Sequence, residues 1–349
     1  MKTILNAMFL MCLMALTSCS DEMVLDNTAA DPADKKTMKE RVVVANRASG
    51  DISVIDATTN TVIGTYAMPD GGEPMYAVHI PQAKAVFVGD RANDRVVAFD
   101  EDDYSVKGTV DAGSGVFHMW ASPNGSQLWV NNDIDNTTTI INPASMRVKG
   151  TTQTPADLVD LGGKPHDVFV DPDKKHAYVS VLGVNGSNDY IVKYNTNQYQ
   201  EVDRVAVGKD PHLFADNVNN LLYVPCQGSN SIYVIDRSSM SVVQTLPFNG
   251  AHGIFMPGSG QYIYVGDIGA SRIGTFETSS HTQVGTPANA PFPTAHNLTV
   301  NAAEDKLFVT HSGGMADQVT IWALNHTASF TTSVTVGTNP FGLVYYRYR

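Results

Sequence analysis

Val42-Val43-Val44-Ala45-Asn46 is followed by Ile52-Ser53-Val54-Ile55-Asp56 and then by Thr59-Asn60-Thr61-Val62. Two runs of β-branched residues separated by a polar turn read as a pair of antiparallel strands. The unit returns six times: Val86-Phe87-Val88-Gly89-Asp90, Leu128-Trp129-Val130-Asn131-Asn132, Ala177-Tyr178-Val179-Ser180-Val181, Leu222-Tyr223-Val224-Pro225-Cys226, Ile263-Tyr264-Val265-Gly266-Asp267 and Leu307-Phe308-Val309-Thr310-His311. Second strands such as Val96-Val97-Ala98-Phe99-Asp100 and Ile232-Tyr233-Val234-Ile235-Asp236 follow them. A recurrence of this length marks a repeat architecture, in which each unit buries its faces against its neighbours.

Val44-Ala45-Asn46, Val54-Ile55-Asp56 and Thr59-Asn60-Thr61-Val62 resemble the YVTN family of repeats. The resemblance spans residues 41–349 and implies an all-β, seven-bladed β-propeller with one four-stranded blade per repeat. It says little of activity, because such folds host many chemistries. A further strand precedes each of repeats two to seven: Met75 to Ile80, His118 to Ala121, His166 to Val170, His212 to Ala215, His252 to Phe255 and His296 to Val300. Repeat one lacks it. Phe341-Gly342-Leu343-Val344-Tyr345-Tyr346 at the C-terminus has no partners after it. The first blade is therefore expected to be closed by the C-terminal strand, which leaves no open sheet edge at the junction.

The N-terminus carries a different message. Lys2 precedes a short apolar stretch, Ile4 to Leu16, which reads as a secretory segment and is too short to span a bilayer. Leu16-Thr17-Ser18-Cys19 resembles the bacterial lipoprotein signal. That resemblance implies a signal peptide over 1–18, a lipidated Cys19 heading a flexible tether over 19–40, and a propeller over 41–349. It also implies a body anchored by lipid to a membrane of the bacterial cell envelope. Ser20 in place of Asp, and the acidic Ser20-Asp21-Glu22, point to the outer membrane, on its periplasmic or surface face. Once Cys12 leaves with the signal and Cys19 carries lipid, Cys226 is the only thiol, so no intramolecular disulfide forms. The formal net charge of −12 disfavours a nucleic-acid partner.

Aligned by their first residue, the inner strands give a column of Met75, His118, His166, His212, His252, His296 and Phe341, with five of the chain's 10 histidines in it. Inner strands line a propeller's channel, so the column forms a ring at one mouth. The second strands end in Asn46, Asp90, Asn132, Val181, Cys226, Asp267 and His311, which antiparallel pairing returns to the same mouth. Imidazole, thiolate and carboxylate are the ligands of transition metals. The candidate metal ligands are His118, His166, His212, His252, His296, His311, Asp267 and Cys226, with His252, His296, His311 and Asp267 the strongest subset. Cu or Zn is the expected cofactor. The layout resembles the His ring of the nitrous oxide reductase propeller. That activity does not carry over, since Met75 and Phe341 interrupt the ring and no electron-transfer copper domain follows.

Three functions stay open. A binding protein would hold the metal, or a small anionic ligand, at the mouth. A metal-dependent lactonase or lyase would use Asp90 or Asp267 as base. A scaffold would dock another envelope protein through its loops. A structural ring of inherited histidines, each bonded to a neighbouring blade, is the plain alternative to all metal readings. His79, His176, His281 and His326 fall outside both columns. Cys226 near His212 has no third partner to make it a nucleophile. No nucleophile elbow, phosphate loop, dinucleotide fingerprint or His-Glu-x-x-His occurs.

Overall fold

The computed structural model describes residues 38–171 and 175–349. The expected signal over 1–18, the lipidated Cys19 and most of the tether lie outside the described residues. Seven antiparallel sheets follow in chain order: residues 39–67 joined by 340–348, then 74–111, 116–153, 164–207, 214–247, 251–289 and 295–335. This is the seven-bladed, all-β ring read from the repeats.

The closure is as expected. Lys39–Asn46 pairs on one side with Asp51–Asp56 and on the other with Pro340–Tyr348, matching Val42 to Tyr345, Val43 to Val344 and Val44 to Leu343. The strand starts at Lys39, two residues before the expected boundary, because Lys39 and Glu40 pair with Tyr348 and Arg347.

The valine-rich second strands are buried on both faces because each blade is sandwiched between two others. That is why they read as continuous apolar runs rather than as alternation. Val43, Ile52 and Val54 of the first blade pack on Val86, Val88 and Val97 of the second. On the opposite face Val42, Val44 and Ile55 pack on Phe308, Val319 and Ile321 of the seventh, so packing as well as hydrogen bonding closes the ring. Rim strands such as Thr61–Ala67 alternate between exposed and half-buried residues, as one solvated face requires. Among the described residues no helix is long and apolar enough to cross a membrane.

One irregularity recurs and sets the site. Six of the seven inner strands lose register against the second strand where the ring residues lie: between Pro74 and Ala77, Val116 and Met119, Pro165 and Val168, Ala251 and Ile254, Ala295 and Leu298, and Pro340 and Leu343. The strand of His212 keeps its register, with Pro211 opposite Cys226 and Phe214 opposite Tyr223. At each bulge two residues stand opposite one of the second strand. A bulge bends the strand and re-aims its side chains. The bulges therefore present two stacked rings to the channel in place of one. At Gly253 neighbouring strands come so close that a Cβ would collide with the His296 carbonyl oxygen.

Candidate functional site

The bulges correct the alignment of the ring. Counting from the residue before each bulge, and from Pro211 opposite Cys226 in the strand without one, the first ring is Met75, Phe117, His166, His212, His252, His296 and Phe341. The second is Tyr76, His118, Asp167, Leu213, Gly253, Asn297 and Gly342. Phe117, not His118, is the equivalent of His166. His118 sits one residue further on, level with Asp167 of the next blade.

That shift makes the centre of the site. His118 Nδ1 lies 3.0 Å from Asp167 Oδ1, and His212 Nδ1 lies 3.6 Å from Asp167 Oδ2. The carboxylate also accepts the backbone N–H of Leu213 at 3.0 Å and of Val168 at 2.7 Å. With Asp167 accepting at Nδ1, a neutral His118 carries its proton there and leaves Nε2 as a lone pair. That Nε2 is buried and has no partner among the described residues. His166 and His212 face each other, Nε2 to Nε2, at 3.2 Å. Ligand atoms of His118, His166 and His212 all lie within 4.8 Å of one another.

His252 and His296 continue the first ring. The His252 ring sits 4.0 Å from that of His212 and 4.8 Å from that of His296, centroid to centroid. Both nitrogens of His252 are buried without partners among the described residues. His296 Nδ1 lies 3.0 Å from Asn297 Nδ2, and the amide also donates to Tyr76 Oη and to the Phe341 carbonyl, both at 3.1 Å. Tyr76 stacks on His118 at 3.7 Å.

The expected strongest subset does not assemble. His311, Asp267 and Cys226 lie at the same end of their blades, but their strands stand one layer out from the channel, opposite Ala295, Ala251 and Pro211. His311 donates from Nδ1 to the Pro293 carbonyl at 2.9 Å and accepts from Thr320 Oγ1 at Nε2 at 2.9 Å. Asp267 accepts from Arg272 Nε at 2.9 Å and from the Ala270 N–H at 2.9 Å. Cys226 is fully buried in an apolar cluster, and burial pushes its thiol up. Four of the column's seven residues anchor turns. Asn46, Asp90, Asn132 and Asp267 each bond a side chain five residues on, in Asp51, Arg95, Thr137 and Arg272. Asp90, the other expected base, is thus also tied into its own turn.

The electrostatics of the rings follow from burial. Burial holds the imidazoles of His118, His166 and His252 below the ordinary value, well below for the last two, and neighbouring histidines lower His166 and His252 further. Burial, helped by His212 and His118, brings His296 down to about 3. Burial works against ionisation of Asp167, but His118 and His212 overcome it and hold the carboxyl well below the usual range. The carboxylate of Asp167 thus sits beside a ring in which His118, His166, His252 and His296 resist protonation.

A dependence of stability on pH follows. In the unfolded chain these histidines take up protons near pH 6.5, while the folded chain resists. Folding is therefore weakened as pH falls below 6.5, by up to about 1.4 kcal/mol per pH unit for each such group, until the folded groups titrate. Asp167 acts in the same direction at lower pH, since its contribution is present above the ordinary carboxylate value and is lost as pH falls below it. The urea midpoint should drop steeply between pH 7 and pH 5, and less steeply in His252→Gln/His296→Gln. A flat profile for the wild-type protein would contradict the buried neutral ring.

Residues 34–246 match the family described as lactonase, 7-bladed beta-propeller. The chain belongs to that family. Among curated proteins no sequence relative matches. Similar solved structures include the periplasmic gluconolactonase of Pseudomonas aeruginosa, at 16% identity and a TM-score of 0.70 over 88% of this chain and 99% of that one. A putative 6-phosphogluconolactonase from Bacteroides fragilis is similar at 14% identity and a TM-score of 0.70, over 90% of this chain and 100% of that one. Hydrazine synthase of Kuenenia stuttgartiensis is similar at 16% identity and a TM-score of 0.66, over 77% of this chain and 88% of that one. At these identities the likeness speaks for the fold alone. In this lactonase-family propeller the repeats do not share the cluster evenly, since only one blade supplies a carboxylate to the second ring.

Proposed function

We propose that the protein hydrolyses a lactone at the pair formed by Asp167 and His118. The observation that carries this reading is the buried, unpartnered Nε2 of His118, an imidazole whose other nitrogen is held by a carboxylate. A carboxylate behind an imidazole fixes the tautomer and stabilises the imidazolium that forms in proton transfer. Family membership and the gluconolactonase-like structures give the reading its substrate class.

In the proposed step His118 Nε2 takes a proton from water as the oxygen attacks the lactone carbonyl. The tetrahedral oxyanion needs a donor. The Tyr76 hydroxyl supplies it: burial holds its pKa well above the ordinary value, and Asn297 donates to its oxygen, which frees its proton. The ring C–O bond then breaks, and the leaving alkoxide takes the proton back from His118. The product is an open-chain hydroxy acid.

A second reading rests on the 3.2 Å contact between His166 Nε2 and His212 Nε2. Two imidazole ligands of a tetrahedral Zn stand about 3.3 Å apart, so this pair and His118 fit a Cu or Zn ion, with Asp167 as the carboxylate behind His118 and His212. Such an ion would supply Lewis acidity to the same hydrolysis, or be the cargo of a binding protein. Lipid attachment at Cys19, a place in the cell envelope and an envelope protein as partner are proposals that either reading accommodates.

The test uses the body from residue 23 onward, purified without a metal-affinity tag, with proton release from a lactone followed before and after chelation. Metal content is measured on the same protein. Turnover that survives chelation in metal-free protein supports the Asp–His mechanism. Turnover that needs stoichiometric Cu or Zn, lost in a folded His166→Ala/His212→Ala variant, moves the chemistry to the ion. No turnover of any lactone overturns the hydrolytic reading.

A further inference from the structure

Resting on the lactonase reading, the channel next to the cluster indicates which lactone is taken. A cavity of about 380 Å³ runs from Asp167, His118 and His212 along the inner strands to Pro81–Gln82 and Ser122–Pro123 at their far ends. Ligand pockets begin at about 300 Å³. Trp120, Phe214 and Phe255 stand half-buried in its wall, with Trp120 and Phe214 at 5.6 Å and Phe214 and Phe255 at 5.1 Å between ring centroids. Val78, Val344 and Tyr345 face it from the first two blades. The wall includes no lysine or arginine, and its one carboxylate is Asp167. The two arginines packed on ring aromatics, Arg47 on Phe341 and Arg91 on Phe117, are already ion-paired to Glu73 and Asp133.

We propose that this channel holds an aliphatic chain of the substrate, which makes the preferred substrate an uncharged alkyl-substituted lactone and not a phosphorylated sugar lactone. A phosphate in this cavity would lie near Asp167 with no cation to meet it, a cost that is not repaid. An alkyl chain would replace water along Trp120, Phe214 and Phe255. Burying a methylene in such a wall is worth about a fourfold gain in kcat/KM. With its carbonyl at His118, the chain would extend along the inner strands away from the ring of Phe117 and Phe341.

The experiment measures kcat/KM for δ-lactones from δ-hexanolactone to δ-dodecanolactone, and for 6-phosphogluconolactone, on the body from residue 23 onward. Binding of δ-dodecanolactone is read separately from tryptophan emission. Trp129 and Trp322 are fully buried, so Trp120 is the reporter and Trp120→Phe the control. The expected result is a rise of about fourfold per methylene until the channel is full. A change in emission should be absent in Trp120→Phe, and the chain-length dependence should be flattened in Phe255→Asp, whose fold is checked by circular dichroism. Phe255→Ala, the milder variant, should weaken the dependence if Phe255→Asp does not fold. Faster turnover of 6-phosphogluconolactone than of any alkyl lactone would overturn the proposal and leave the hydrolytic reading standing. An emission change without turnover would do the reverse. The absence of both an emission change and a chain-length dependence would overturn the proposal outright.

Discussion

A chain ending at Asn339 is expected to lose its fold. Pro340–Tyr348 is the innermost strand of the first blade, although it is the last strand made. Without it Lys39–Asn46 becomes an open edge over seven paired positions. Tyr346 and Tyr348 leave the core between blades one and two, and Leu343 and Tyr345 leave the face between blades seven and one. The hydrogen bond from Tyr104 to Tyr346 goes with them. Each large apolar side chain removed from such a core is worth about 1.5–3 kcal/mol, and a whole domain is stable by only about 5–15 kcal/mol. Four such losses, two of them from partly buried side chains, are comparable to that margin before the missing ladder is counted. The truncated chain should be insoluble or lack a cooperative melt by circular dichroism. A melting temperature within a few degrees of wild type would show that the ring does not depend on its closing strand.

Asp167→Asn is expected to lower lactone turnover by about 10²–10⁴-fold with little effect on KM. Asparagine keeps the size of the side chain and one acceptor oxygen. It cannot face His118 Nδ1, Leu213 N–H and Val168 N–H with acceptors as the carboxylate does. Its amide N–H₂ toward His118 would favour the opposite tautomer, with the Nδ1 lone pair turned to the new amide and the Nε2 proton turned to the substrate. A fall in kcat with KM preserved is the signature of a group needed in the transition state and not for binding. A loss of less than threefold, with the fold intact, would remove Asp167 from the mechanism.

The parts of this molecule legible in the sequence are those carried by repetition. Period and β-branched runs state seven blades, and an unpaired C-terminal strand beside a first repeat lacking one states the closure. The site is less legible because it depends on a bulge. A two-residue bulge has no residue signature of its own here, since Met75-Tyr76, Phe117-His118 and His252-Gly253 share no chemistry. Aligning by histidine therefore places His118 one residue out of register and passes over Asp167. The signal for Asp167 was the residue following His166, read as a second ring. His311, Asp267 and Cys226 share the right end of the blade. Strand order within the blade keeps them one layer from the channel, where Asp267 holds a turn and His311 bonds Pro293 and Thr320. The seventh blade's histidine pair thus divides, with His296 in the ring and His311 outside it.

On the lactonase reading, chemistry belongs to the cluster around Asp167 and not to the outer column. The most direct test compares lactone hydrolysis by wild type, His118→Ala and His311→Ala, each confirmed as folded by its circular dichroism melt. His118→Ala is expected to abolish turnover, while His311→Ala, though less stable, keeps it when assayed below its melting temperature. Turnover that persists in His118→Ala and vanishes in folded His311→Ala would contradict that reading.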